Sequence, residues 1–226
     1  MRKDPADVMV VSTSQEHCNE TMRFSAGLAF VSLARPTQRR SVVLSLHSSP
    51  NPMFRNATIA DVPMLQKWDE KEHLCDPNVM GDADFNEWDW ETELTKTPHW
   101  RHMLVAEAEN GEPIGFVQII DPLEEESHYW GLDCPPNLRA IDIWIGEEAY
   151  IGKGYGTAMM EKTLKDYCFS NSSVVAVLVD PMVSNPRAHR FYQKMGFQPV
   201  RTQSFGPDEC LVLRLDRENW EKRNTA

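Results

Sequence analysis

The sequence predicts a mixed α/β fold, and three features carry that prediction. Two apolar, strand-like runs at 103–108 and 114–120 are joined through Asn110-Gly111, a pair suited to a tight antiparallel hairpin turn. A strand-like run at 139–145 is followed by a glycine-rich turn and then by helical periodicity over 157–169. A continuous apolar run at 174–179 then gives way to a second helical stretch at 185–195. Strands that bracket helices, with antiparallel hairpins at one end, make a mixed sheet.

Taken in order, residues 54–57 read as a short strand. Thr58, with Asp61 three residues later, resembles a capping box for a helix carrying Ile59, Val62, Leu65 and Trp68 on one face. A second helix is expected over 88–94, ahead of the hairpin. Residues 210–215 close the sheet as a last strand. Residues 1–52 are rich in Ser, Thr and Arg, have no sustained period, and end in Ser48-Ser49-Pro50-Asn51-Pro52. They read as a disordered leader or as translation from an upstream start, with the folded domain spanning 53–226.

The formal net charge is −11, unevenly spread. Residues 1–52 hold six Lys/Arg against four Asp/Glu, and the other 174 residues hold 17 against 30. A domain that acidic repels nucleic acid and anionic membranes and attracts cations. No apolar run approaches the roughly 18–20 residues that cross a bilayer, and no basic leader with a compact apolar core opens the chain. Five scattered cysteines (Cys18, Cys75, Cys134, Cys168, Cys210) include no CxxC pair, which suits reduced thiols in a cytoplasmic protein. His99 and His102 form an HxxH, and His73 lies near Cys75, but no further ligands follow at zinc spacing, so no metal site is expected.

The segment that carries chemistry is Ile151-Gly152-Lys153-Gly154-Tyr155-Gly156-Thr157, set between a strand and a helix. Glycines there let backbone N–H groups face a ligand, and the following helix adds its positive end, so the unit suits a pyrophosphate. Alone it could equally be a tight connection or a fragment of another phosphate loop. The Walker ending Gly-Lys-Ser/Thr is missing, and a dinucleotide turn belongs after the first strand rather than two-thirds along the chain. About thirty residues on comes Ser184-Asn185-Pro186-Arg187-Ala188-His189-Arg190-Phe191-Tyr192-Gln193-Lys194-Met195-Gly196-Phe197.

Those two motifs, in that order and at that separation, resemble the GNAT superfamily of N-acetyltransferases over roughly 54–215. Glu112-Pro113-Ile114-Gly115, Ile141-Asp142, the glycine turn and Asp180-Pro181 resemble in particular the aminoglycoside 6'-N-acetyltransferases. The resemblance implies a central mixed, mostly antiparallel sheet flanked by helices, with strands splayed at the acetyl-CoA site. Acetyl-CoA would lie along Ile143, Trp144 and Ile145. Its pyrophosphate would take the backbone amides of Gly152, Gly154 and Gly156 beside Lys153, Tyr155 and Thr157, and its pantetheine arm would meet Asn185 and Ala188. Tyr192 would face the sulfur and protonate the departing thiolate. Asp142 would receive the substrate amine, with Asp180 and Asp208 as further anionic contacts. The superfamily usually has Gln or Arg where this chain has Ile151, so one anchoring side chain is missing.

Each assignment has a plainer reading. Tyr192 could be core, Asp142 could serve a structural salt bridge, Asp180 could be a strand-end turn residue, and Asp208 in Gly206-Pro207-Asp208-Glu209 could simply shape a hairpin. A charge in an apolar strand is costly without a partner or a role, which favours function for Asp142. Residues 69–93 hold ten carboxylates against one lysine, Lys71, interleaved with Phe85, Trp88 and Trp90, and Glu124-Glu125-Glu126 leads into His128-Tyr129-Trp130. Carboxylates beside flat rings suit a polycationic ligand, so Trp90, Gln118 and Trp130 are expected at the substrate rim. The expected partner is a small aminoglycoside-like amine; a homodimer stays open. The rivals are N-acylation of another amine, such as a siderophore precursor, a polyamine or a protein N-terminus, and a non-catalytic module that binds acyl-CoA.

Overall fold

A computed structural model of the chain describes residues 49–75 and 89–225. The expectations for the leader up to residue 48, and for Asp76, Asp82, Asp84, Phe85, Glu87 and Trp88, lie outside the described residues.

The elements run β1 (Met53–Asn56), a 3-10 turn (Ile59–Asp61), α1 (Val62–Asp69), α2 (Glu72–Cys75), α3 (Trp90–Thr95), β2 (Arg101–Glu107), β3 (Pro113–Ile120), β4 (Leu138–Ile145), α4 (Tyr155–Thr163), β5 (Ala176–Val179), α5 (Pro186–Lys194), β6 (Gln198–Phe205), β7 (Asp208–Asp216) and α6 (Arg217–Thr225). The seven strands form one sheet in the order β1-β2-β3-β4-β5-β7-β6. Every pairing is antiparallel except β4 with β5. The mixed, mostly antiparallel sheet that the sequence predicts is the one that forms.

Local chemistry explains most of the element ends. Asp61 reaches back to accept the Thr58 N–H at 2.7 Å and is clamped by two Arg55 guanidinium nitrogens at 2.8 and 2.7 Å. These charge-assisted bonds hold the Asp61 carboxyl below its usual range despite its burial. Val62, Leu65 and Trp68 then face the core at helical spacing, while Ile59, in the 3-10 turn before α1, is 47% exposed. The hairpin at Asn110-Gly111 forms, with Gly111 at φ +80. After Thr163, α4 widens into a π-helical turn over Leu164–Cys168, closed by the Phe169 N–H on the Leu164 carbonyl at 2.8 Å.

The sheet carries a core on each face. Leu104, Val117, Ile119, Ile141, Val177 and Leu213 meet Met159, Met160 and Leu164 after β4 and Tyr192, Met195 and Phe197 around α5. On the other face, Met103, Phe116 and Trp144 pack under α1 and α3 against Leu65, Trp68 and Trp90. Farther along that second face a separate cluster joins Ile120, Ala140 and Leu178 to Trp130, Cys134, Phe205, Cys210 and Val212.

Candidate active site

Side chains alternate along a strand, so residues 140, 142 and 144 of β4 share one face, as do 116, 118 and 120 of β3. Ala140 and Ile120 belong to one apolar cluster on that face, and Trp144 and Phe116 to the other. Between them, in cross-strand register, stand Gln118 and Asp142. A polar pair is thus set into the gap between two apolar patches, at the floor of a cleft of about 940 Å³. Gln118 Nε2 donates to Asp142 Oδ2 at 2.8 Å. Surrounding protein pushes the Asp142 carboxyl above its ordinary range, an effect that the Gln118 hydrogen bond partly opposes. Gln118 is 6% exposed, and its Oε1 has no protein partner among the described residues.

The second feature is a divergence of strands. β4 and β5 pair in parallel only through Leu138–Ala140 and Ala176–Leu178. Beyond them β4 continues to Ile145, and no strand pairs with it on that side among the described residues. Ile143, Trp144 and Ile145 line the cleft there. An open strand edge suits an extended ligand that carries amide groups. At its far end Gly146 passes so close under Trp68 that a Cβ would lie 2.2 Å from the indole ring, and His73 Nε2 bonds the Ile145 carbonyl at 2.9 Å.

The glycine turn follows. Gly152 and Gly154 have φ +73 and +91, and Gly154 is the N-cap of α4. Among the described residues Gly152 has nothing within 4 Å of where a Cβ would sit, so its backbone is open to a ligand. Gly152, Gly154, Gly156 and Thr157 line the cleft together with Ile151. Lys153 and Tyr155 flank the turn instead. The Lys153 ammonium lies 5.9 Å from the Tyr150 ring centroid, and the Tyr155 hydroxyl donates to Glu109 at 2.6 Å. That bond pushes the Tyr155 hydroxyl up to about 12.

Helix α5 supplies the facing wall. Asn185 caps it by accepting the Ala188 N–H at 2.9 Å, and Pro186 follows at the first helical position. Asn185, Ala188 and Tyr192 line the cleft. Tyr192 is 8% exposed, with its ring against Phe191 and Phe197 at 5.2 and 5.7 Å. Arg187 and Lys194 line the same wall.

At the opposite end stand Asp180, Asp208, Glu125 and Trp130, with Tyr129 beside them. The Tyr129 hydroxyl donates to Asp180 Oδ2 at 2.7 Å, and its ring stacks on Phe205 at 4.2 Å with the planes 7° apart. Glu125 accepts the N–H groups of Ser127 and Tyr129, which fixes the loop that carries both rings and holds the Glu125 carboxyl below its usual range. The cleft therefore presents carboxylates at one end and a glycine turn at the other, with two cationic side chains on its α5 wall.

One expectation is corrected. Trp90 does not reach the rim: it is 1% exposed, packs edge-on to Phe116 at 5.3 Å, and donates its Nε1–H to Asp69 at 2.5 Å. Its burial stripe on α3 outweighs the acidic surroundings that suggested a ligand contact. Most described carboxylates of the acidic run are solvated or structural: Asp89 caps α3 through the Thr92 hydroxyl, and Glu93 pairs with Lys96 and with Arg101. Of the described carboxylates of that run only Glu93 lines the cleft, and its partner Arg101 lines it too. His99 bonds Glu124 while His102 lies edge-on to Tyr167, and no metal-holding group of three or more His, Cys, Asp or Glu converges among the described residues. Sequence reasoning passed over Tyr129 as a contact in its own right; its one signal was its place beside Trp130 after an acidic run.

Comparison with known proteins now bears on this arrangement. An acetyltransferase (GNAT) domain model matches residues 58–205. The chain is 28% identical over 188 residues to an aminoglycoside N(6')-acetyltransferase type 1 of Klebsiella pneumoniae, covering 80% of this chain and 90% of that protein. The fold matches a crystal structure of the aminoglycoside acetyltransferase AAC(6')-Ib in complex with coenzyme A, with TM-score 0.63, 27% identity, and coverage of 77% of this chain and 99% of the other. A structure of the same enzyme with paromomycin and acetyl-CoA matches with TM-score 0.63 and 27% identity over 76% of this chain and 97% of that one. The chain belongs to the GNAT acetyltransferase family.

Proposed function

We propose that this GNAT acetyltransferase moves an acetyl group from acetyl-CoA to a primary amine of a polycationic acceptor, the 6'-amine of an aminoglycoside. The observation that carries the reading is the joint placement of Asp142, the open edge of β4, the Gly152–Thr157 turn and Tyr192 on one cleft. The relatives named as aminoglycoside acetyltransferases, and the neighbours solved with coenzyme A or with acetyl-CoA and paromomycin, support the choice of donor and acceptor.

The residues suit the donor. Gly152 and Gly154 turn open backbone toward the cleft at the start of α4, whose positive end suits phosphate oxygens. Arg187 and Lys194 add positive charge on the facing wall. The edge of β4 at Ile143–Ile145, apart from the Ile145 carbonyl that His73 holds, offers backbone N–H and C=O groups to the amides of a pantetheine arm, and Asn185 borders the same path. Acetyl-CoA, when bound, supplies the acetyl group as an activated thioester.

The chain's own groups then act on the acceptor. A primary ammonium has a pKa of about 10.4 and must lose a proton before its lone pair can attack. Asp142 positions that ammonium and passes its proton to solvent through water, since a carboxylate is too weak a base to hold it. Gln118 fixes which Asp142 oxygen is occupied and leaves the other for the amine. A backbone N–H on the β4 edge polarises the carbonyl as the N–C bond forms and the C–S bond breaks. The sulfur leaves as a thiolate with an ordinary thiol pKa of about 8.5, and Tyr192, which lines the cleft, returns a proton to it through its hydroxyl. Asp180, Asp208 and Glu125 receive the remaining ammonium groups of the acceptor. Acetyl-CoA is an intracellular metabolite, and the buried free thiols Cys134 and Cys168 suit a cytoplasmic setting.

The test is thiol release from acetyl-CoA by purified protein with kanamycin, tobramycin, spermidine and a lysine-type amine. Saturable turnover with the aminoglycosides, lost in Asp142→Asn, upholds the reading. Binding of coenzyme A without turnover of any amine overturns the enzymatic reading and leaves an acyl-CoA-binding module.

A further inference from the structure

The acceptor end of the cleft holds one arrangement that the transfer chemistry does not require. Tyr129 is tied on three sides. Its hydroxyl donates to Asp180 Oδ2 at 2.7 Å, its ring lies flat on Phe205, and its edge meets Trp130 at 5.7 Å. Phe205 ends β6 and pairs with Asp208 at the start of β7. Asp180 follows directly after β5. The loop that carries Tyr129 is itself held by Glu125. One tyrosine thus connects the three separate chain segments that present Asp180, Asp208 and Glu125 to the cleft.

We propose that Tyr129 is a positioning residue that fixes the Asp180 carboxylate as the seat of a second ammonium group, and so selects acceptors with more than one positive charge. The proposal rests on the acceptor reading above and deepens it. Three physical arguments support it. A hydrogen bond to a ring that is stacked in place narrows the rotamers open to the Asp180 carboxylate before the ligand arrives. The hydroxyl proton is committed to Asp180, because burial, together with the nearby Asp180 charge, pushes the Tyr129 hydroxyl far above its usual range. With that proton fixed, the phenolic oxygen has lone pairs to offer an ammonium N–H beside the carboxylate. A donor in place of an acceptor would repel the same ligand.

The variant Tyr129→Phe keeps the ring on Phe205 and removes only the hydroxyl. Binding of kanamycin, of spermidine and of a monoamine such as 2-phenylethylamine is measured by calorimetry in the presence of coenzyme A, for wild type, Tyr129→Phe, Asp180→Asn and the double variant. The expected result is that Tyr129→Phe weakens the two polycations by about 5- to 10-fold, the scale of one charge-assisted hydrogen bond, and the monoamine by less than twofold. The double variant should lose no more than Asp180→Asn alone, because Tyr129 acts through Asp180. Equal weakening for all three amines would reveal a merely structural role and overturn the proposal. Unchanged polycation binding, fully additive losses, or a wild type that holds polycations no better than the monoamine would overturn it too. Because the readout is binding, absence of turnover would sink the transfer reading without deciding this one.

Discussion

The Gln118 amide reaches across from β3 to Asp142 on β4 and donates to one carboxylate oxygen at 2.8 Å, while its own Oε1 stays without a protein partner among the described residues. The pair occupies a single step of the antiparallel register, between an aromatic patch at Phe116 and Trp144 and an aliphatic one at Ile120 and Ala140. Its burial raises Asp142 toward protonation, and its hydrogen bond draws it back.

Asp142→Asn should lower kcat/KM for the acceptor by about 100-fold or more, the usual scale for a positioned proton-handling group. Acetyl-CoA affinity should stay within about threefold, since the glycine turn is untouched. Steady-state kinetics with each substrate varied in turn checks both numbers. A large loss in acetyl-CoA affinity instead would show that Asp142 supports the cofactor wall.

Gln118→Met should move the acid limb of the kcat/KM profile to higher pH. The amide stabilises the charged form of Asp142, so its loss must raise the carboxyl pKa further. The profile is read from pH 5 to 9 on both proteins. A shift to lower pH would contradict the assigned direction.

Gly154→Ala should cost about 1–2 kcal/mol in stability, because a Cβ is strained at φ +91. It should also raise the KM for acetyl-CoA while leaving the acceptor KM nearly unchanged. Among the described residues only Pro50 lies near a Gly154 Cβ, at 3.5 Å, so strain rather than collision is the cause. Chemical denaturation and initial rates distinguish these effects.

Trp90→Ala should destabilise the protein by about 3–5 kcal/mol, as expected for a buried indole. Trp130→Ala should chiefly raise the acceptor KM, since its ring lines the cleft. Melting curves beside kinetics separate the two tryptophans. Equal effects on stability would erase the distinction drawn between them.

Asp69 gives a stability slope with a definite sign. Burial raises its carboxyl to about 6, with the Trp90 N–H opposing the shift. A raised carboxyl holds its proton longer in the folded state, so folding stability falls as pH climbs from about 4 to about 6, then stays lower. Because the side chain is partly exposed, the drop is on the order of 1 kcal/mol after solvent screening. Asp69→Asn should flatten that part of the urea-denaturation profile.

Several elements were legible because local chemistry forces them. Asn110-Gly111 sets a hairpin turn wherever two strands flank it, and Thr58 with Asp61 opens a helix in almost any context. β6 escaped detection because seven of its eight residues face solvent or are only partly covered, so no apolar alternation marks it. α6 escaped for the same reason: it is polar all round, anchored by Trp220 stacked on Phe169 at 4.8 Å and by Arg217 on the carbonyls of Val174, Phe169 and Asn171. Trp90 misled because an acidic neighbourhood in sequence carries no information about which way an indole points.

From the sequence alone came the mixed α/β class, the phosphate-suited glycine turn before α4, the helix over 185–195 bearing Tyr192, and the unusual carboxylate in an apolar strand. These depend on residue type and short spacing, which act within a few residues of chain. Only the tertiary structure decided that β4 and β5 part after Ala140, that Gln118 faces Asp142, and that Tyr129 binds Asp180 while lying on Phe205. Those contacts join residues 24 to 76 positions apart, and their register follows from which faces of distant strands can be buried together. Such pairing is a property of the packed whole, set by shared burial and excluded water rather than by any local signal.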